Sequence, residues 1–165
     1  MGLIEDLEQV TMQERALQLP RLDAQVAWEL GVRLRTMAIE RALPVVIDVR
    51  RFGQPLFYTA LEGTAPDNVE WVRRKSNVVA RFHRSSYAVG LKLKLKNETL
   101  TEQQGLPISD YASHGGSFPL AVEGAGVVGS VTVSGLPQRA DHELVVEALC
   151  GLLGRDHAAL RLAAE

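Results

Sequence analysis

The sequence predicts one α/β (α+β) domain, an antiparallel sheet covered by helices, and three observations carry that expectation. Short segments with a two-residue apolar period occur in two adjacent pairs, each joined by a turn that contains glycine, as in β-hairpins. Longer segments with a 3.6-residue apolar period stand before, between and after those pairs. Strands and helices therefore do not alternate one for one, as a parallel sheet of βαβ units would require. Finally, 165 residues with 46% hydrophobic and 23% charged content suit a single domain, which buries roughly 70% of the surface its unfolded chain exposes.

In chain order, residues 3 to 17 and 23 to 42 read as helices separated by Leu19-Pro20-Arg21. Asp23 is suited to cap the second by accepting backbone N–H bonds, and Ala27, Leu30, Leu34, Met37 and Ala38 form its apolar stripe. Val45, Ile47 and Val49 alternate with Val46, Asp48 and Arg50; Arg51-Phe52-Gly53 turns, and Leu56, Tyr58 and Ala60 return. Thr64 and Asp67 have capping-box spacing around Pro66, so a helix is expected from there to about His83. Its wheel places Trp71, Val72, Val78, Val79 and Phe82 on one side and Arg73, Arg74, Asn77, Arg81 and Arg84 on the other. Residues 85 to 97 fit two patterns, because Leu91 to Lys96 alternates like a strand while Tyr87, Ala88, Leu91 and Leu95 share a helical face; helix is preferred. Residues 98 to 113 read as polar turns. The second hairpin runs from Phe118 to Gly135 around Glu123-Gly124-Ala125-Gly126, and Asp141 is placed to cap a final helix that buries Leu144, Val145, Ala148, Leu149, Leu152 and Leu153. Residues 1–20 thus form a helical extension, 21–153 a core, and 154–165 a tail with a short helix to Leu162.

Eighteen basic and 20 acidic residues leave a net charge of −2, too little to draw the chain as a whole onto nucleic acid or anionic lipid. The N-terminus has acids where a signal peptide needs basic residues, and no stretch reaches membrane-spanning length. The single cysteine, Cys150, cannot form an internal disulfide and sits beside the apolar stripe of the last helix. A cytoplasmic location, no membrane and no nucleic-acid partner are the expectations.

Several motifs reduce to structure. Gly124-Ala125-Gly126-Val127-Val128-Gly129 matches the dinucleotide pattern, but a strand follows it where that site needs a helix N-terminus, so its glycines read as turn residues. His142-Glu143 lacks the second histidine of a zinc protease, since Val146 occupies that place, and no metal site is expected. His83 falls among apolar residues on the wheel and reads as a core histidine. The arginines of that helix read as a solvated face or a subunit contact.

Two features point to a ligand. Lys75 falls among Val72, Val78, Val79 and Phe82, where an unpaired ammonium is costly. It must snorkel outward, pair with Asp48 or a glutamate, or hold an anion or carbonyl at a pocket edge. In His114-Gly115-Gly116-Ser117-Phe118-Pro119, two glycines between a histidine and a serine permit close ligand approach just before a strand, or else simply turn the chain into the sheet.

The His114 to Pro119 segment, Val127-Val128-Gly129-Ser130-Val131-Thr132-Val133-Ser134-Gly135, and Asp141-His142-Glu143 opening a helix together resemble the HbpS-like, GlcG-like superfamily. Trp71-Val72-Arg73-Arg74-Lys75 and Ser85-Ser86 resemble its branch known as uncharacterised protein family 0303. The resemblance spans most of residues 20 to 153. It implies a profilin-like fold with helices on both faces of the sheet and a homo-oligomer, a dimer or larger ring. Haem is a cofactor of some relatives, but no haem ligand carries over residue by residue, and Thr132 replaces a glycine of the usual strand pattern.

The leading expectation is an oligomeric module that binds a small anionic or planar ligand, haem-like or an organic acid, between the 71–83 helix and the 114–118 turn. Lys75 and Arg74 would supply charge, His114 a hydrogen bond or weak ligation, and Gly115, Gly116 and Ser117 the close wall. The alternatives are an assembly module without a small-molecule site and an enzyme of unknown reaction. For the enzyme, no nucleophile stands at recognisable spacing from a base.

Overall fold

A computed structural model describes residues 2–165. Its elements are helices α1 (Leu3–Ala16) and α2 (Ala24–Glu40), strands β1 (Val46–Arg51) and β2 (Gln54–Ala60), helices α3 (Pro66–Phe82), α4 (Ser86–Lys96) and α5 (Leu100–Gln104), strands β3 (Ser117–Val122) and β4 (Gly126–Ser134), and helices α6 (Gln138–Leu153) and α7 (His157–Leu160). The strands form one antiparallel sheet in the order β2-β1-β4-β3, so the two hairpins lie side by side with β1 paired to β4.

The register divides the sheet by chemistry. Phe57, Val49, Val131 and Phe118 form one cross-strand row; with Ile47, Val133 and Leu120 they meet Leu30 and Leu34 of α2 and Val145 and Leu149 of α6 in the main core. The next row, on the opposite face, is Tyr58, Asp48, Thr132 and Ser117, and α3 packs over that side. Alternation along the strands thus makes one face apolar and the other largely polar. A second cluster joins α1 to α4 through Val10, Tyr87, Ala88 and Leu91, and a third joins α3, α4 and α5 through Val78, Val89 and Leu100.

The expected segment 85–97 is the helix α4, capped by the Ser85 hydroxyl accepting from Ala88 N–H. Asp23 caps α2 by accepting from Val26 N–H. Gly124 and Gly126 have positive φ in the hairpin turn, and Gly126 to Ser134 is a strand, as the turn reading requires.

Four local expectations are corrected. The cap of α3 lies one residue later than Thr64: Asn68 Oδ1 accepts from Ala65 N–H, while the Thr64 hydroxyl donates to the Leu61 carbonyl. Residues 98–113 contain the short helix α5, capped by Thr99. Asp141 lies inside the first turn of α6 and reaches back to Leu136 N–H instead of capping at the boundary. His83 is exposed in a left-handed conformation that ends α3, so the wheel position inferred for it belongs to a turn that is never made. The core histidine is His142, fully buried against Tyr87 and Phe118. Cys150 is buried in the main core, and burial pushes its thiol pKa up. Among the described residues no helix is long and apolar enough to cross a membrane.

Candidate functional site

Lys75 sits one turn after Trp71 on the sheet side of α3, and its ammonium crosses to the end of β4. Its Nζ donates to Asp141 Oδ2 at 3.0 Å and to the Val133 carbonyl at 3.3 Å. The partner is therefore neither Asp48 nor a glutamate. Asp141 is held in turn by Leu136 N–H on Oδ1 at 2.9 Å and Gly135 N–H on Oδ2 at 3.4 Å. Both side chains are almost wholly buried, at 4% and 1% exposure. Burial pulls the lysine pKa down and pushes the aspartate up, and the attraction between the two charges opposes both shifts. Wherever their shared proton resides, the pair carries no net charge.

This pair floors a cleft of about 230 Å³ lined also by Asn68, Trp71, His114 and Gln138. Two amides are oriented there by the backbone. Asn68 Oδ1 is occupied by Ala65 N–H at 2.9 Å and Gln138 Oε1 by Gly115 N–H at 3.0 Å. With their oxygens bound, both side chains present NH₂ groups. The lysine ammonium, with three N–H groups and two protein acceptors, has one donor left. The cleft is thus rich in donors without being cationic. His114 closes the rim edge-on to Trp71, with ring centroids 5.2 Å apart. Desolvation there, followed by the charges of Lys75, Arg74 and Lys94, lowers the His114 pKa and so favours the neutral ring.

The expected site residues separate by position. Lys75 and His114 line the cleft. Gly115 is buried, and its N–H is taken by Gln138. Gly116, at φ 138°, has no room for a side chain, since a Cβ would stand 2.4 Å from the Val133 carbonyl oxygen. Arg74 is turned outward: its Nε donates to the Ile108 carbonyl at 2.8 Å, and its guanidinium lies 4.7 Å from the Trp71 ring centre. Ser117 is buried in the sheet, with its hydroxyl 2.8 Å from that of Thr132 and its N–H bonded to Ser86. Asn68, Gln138 and Asp141 were not anticipated as site residues. Nothing local in sequence joins position 138 to 115, and the helix start at Pro66 was read for Thr64 and Asp67, one residue out of step with the Ala65–Asn68 cap.

The arginine-rich back of α3 is only partly solvated. Arg73 bonds Asp110 and the Ser109 carbonyl, and Arg84 bonds Glu14. The 105–112 segment therefore lies against much of it.

Compared with known proteins, residues 22–150 match the family model described as haem degrading protein HbpS-like. The chain is 61% identical over 163 residues to a UPF0303 protein of Paraburkholderia phymatum, covering 99% of each. Its fold is similar to the crystal structure of the Ybr137w protein, with a TM-score of 0.83 and 31% identity over 90% of this chain and 88% of that one. It also resembles the PduOC–haem complex, with a TM-score of 0.67 and 14% identity over 78% and 93% of the two chains. The His114 cleft is open to solvent and offers one imidazole, His114 itself, as a ligand for a haem iron. Its volume of about 230 Å³ is below the roughly 300 Å³ at which pockets for drug-sized ligands begin.

Proposed function

The chain belongs to the HbpS-like family, and from that premise we propose that it is a binding module for a compact, planar organic acid held between α3 and the start of α6. It works in the cytoplasm, where its lone thiol stays reduced. The observation that carries this reading is the set of three groups with unused N–H donors, one on Lys75 and two each on Asn68 and Gln138, around one small cleft. Such donors stabilise an oxyanion while the neutral lysine–aspartate pair avoids the cost of an isolated buried cation. Trp71 supplies a flat wall.

Two substitutions test it with the fold retained. In Asn68→Asp and Gln138→Glu the backbone N–H groups keep an oxygen acceptor, but each NH₂ donor becomes a carboxylate. In a thermal-shift screen of short mono- and dicarboxylates, a true ligand at a hundred times its Kd adds about 2.7 kcal/mol to the wild type, a rise of roughly 5–10 °C. Either variant is expected to abolish that rise while keeping the unliganded Tm. Equal responses from wild type and both variants would rule out this cleft.

A specific feature also supports self-association. Trp28, Val32 and Ile39 of α2 are 57%, 40% and 51% exposed along one outward face. An antiparallel pairing of two α2 helices about Val32 sets Glu29 of one copy opposite Arg35 of the other, twice, as an isologous dimer requires. The basic back of α3 is less suited to this, because Arg73, Arg74 and Arg84 already have partners within the chain. Light scattering should find Val32→Asp shifted to a smaller assembly; an unchanged mass would exclude α2 as the contact.

A further inference from the structure

On the polar face of the sheet, a second cleft of about 190 Å³ opens between the last turns of α3, the β1–β2 turn and β4. Arg50 forms its inner wall. Beneath Arg50 lies Asp48, with 0% exposure, whose Oδ1 accepts from Arg50 Nε at 2.8 Å. The other Asp48 oxygen has no partner, so Arg50 is the cation that compensates this buried carboxylate, and its Nε is held in place. Its Nη groups make no bond among the described residues, and neither does the hydroxyl of Ser130, which lines the same cleft. A guanidinium anchored through Nε and free at Nη presents the fork that matches a carboxylate.

The remaining walls are mixed: Ser76 and Asn77 line the α3 side but donate to the Arg73 and Asp110 carbonyls, and His83 stands beside them. Ala80, Val127, Val128 and Phe52 border the space. Phe52 is 79% exposed at φ 49° in the hairpin turn, a left-handed position that a bulky residue occupies only at a cost. That cost and that exposure leave an aromatic ring at the mouth with nothing in the chain to cover it. The last turn of α3 also borders the cleft through Ala80 and His83, and a helix C-terminus disfavours a second negative charge.

From this arrangement we propose a second, independent small-molecule site that takes a monocarboxylate with a flat apolar body. The carboxylate meets Arg50 and Ser130, and the body lies between Phe52, Val128 and Ala80. Phosphate is disfavoured because a single guanidinium, already balanced by Asp48, faces the cleft.

Benzoate, benzamide and inorganic phosphate are the probes, read by ¹H–¹⁵N correlation spectra of the assigned chain. Benzoate is expected to shift the amides of Phe52, Val128 and Ser130, and benzamide and phosphate to bind at least about tenfold more weakly. Arg50→Gln, which still offers Asp48 a donor, and Phe52→Gly, which suits the left-handed turn, should each weaken benzoate by about tenfold or more. In Gln138→Glu the benzoate shifts at the amides of Phe52, Val128 and Ser130 should persist, whatever binds in the α3–α6 cleft, which separates the two sites. Absence of benzoate shifts at these amides, phosphate binding as tight as benzoate, or benzoate binding intact in Phe52→Gly would each overturn the proposal. Should Arg50→Gln fail to fold, the Phe52→Gly titration decides.

Discussion

Acidifying the protein from pH 7 to pH 4 is expected to cost the native state about 3 kcal/mol through His142 alone. The ring is fully buried, and burial, followed by the nearby Arg139 charge, pulls its pKa down to about 3. Its Nε2 lies 2.7 Å from Gln13 Oε1. Gln13 Nε2 donates to Glu143 and to the Leu160 carbonyl, so Oε1 is the acceptor and His142 Nε2 carries the hydrogen. Nδ1 then holds a lone pair with no partner. Between pH 6.5 and about 3 the unfolded chain binds a proton that the native ring refuses, so stability falls as pH falls across that window.

His142→Leu removes the titration and strands Gln13 Oε1, a cost of about 1–3 kcal/mol at neutral pH. Urea midpoints of variant and wild type should therefore converge on acidification and cross near pH 5, a value estimated from these two opposing magnitudes. Asp23 and Glu147, whose pKa values are lowered by hydrogen bonds, lose stabilisation at low pH in both proteins, while Asp48 and Asp141, raised by burial, act in the opposite sense. These contributions cancel in the difference. Parallel midpoint curves would show that native His142 takes up its proton over the same pH range as the unfolded chain, and would overturn this expectation.

The second large effect belongs to the floor of the α3–α6 cleft. Lys75→Met leaves Asp141 buried without its cation and should cost about 3–5 kcal/mol, a large share of a typical domain's 5–15 kcal/mol. In Lys75→Met with Asp141→Asn, the new side chain still accepts from Leu136 N–H and no charge is buried. The double variant should therefore be more stable than Lys75→Met alone. Chemical denaturation at pH 7 in a double-mutant cycle measures the coupling. A double variant as unstable as the sum of the two single ones would mean that the two side chains stabilise the fold independently.

The two cases show what was legible in the sequence and what was not. The cost of burying Lys75 was evident from the wheel, because Val72, Val78 and Val79 surround it on α3. Its partner was not, since Asp141 lies 66 residues away and reaches Lys75 only after α6 docks at the end of β4. His83 was misplaced because a wheel extrapolates a helix past its end; a left-handed residue there turns the chain outward. The short helix α5 did leave a trace, the Thr99 and Glu102 capping-box spacing, within a stretch otherwise dominated by polar residues.

By itself the sequence determined the two hairpins, the long helices, the turn role of the Gly124 and Gly126 pair, and the alternation that makes one sheet face apolar. These follow from periodicity and backbone sterics, which act over a few residues. Only the tertiary structure decided that Asn68, Gln138 and the Lys75–Asp141 pair share a cleft, that Arg74 and Ser117 lie outside it, and that Asp48 anchors Arg50 beside a second one. Those juxtapositions join residues far apart in the chain, and they exist only once the pairing of β1 with β4 and the packing of α3 and α6 have fixed the distances between them.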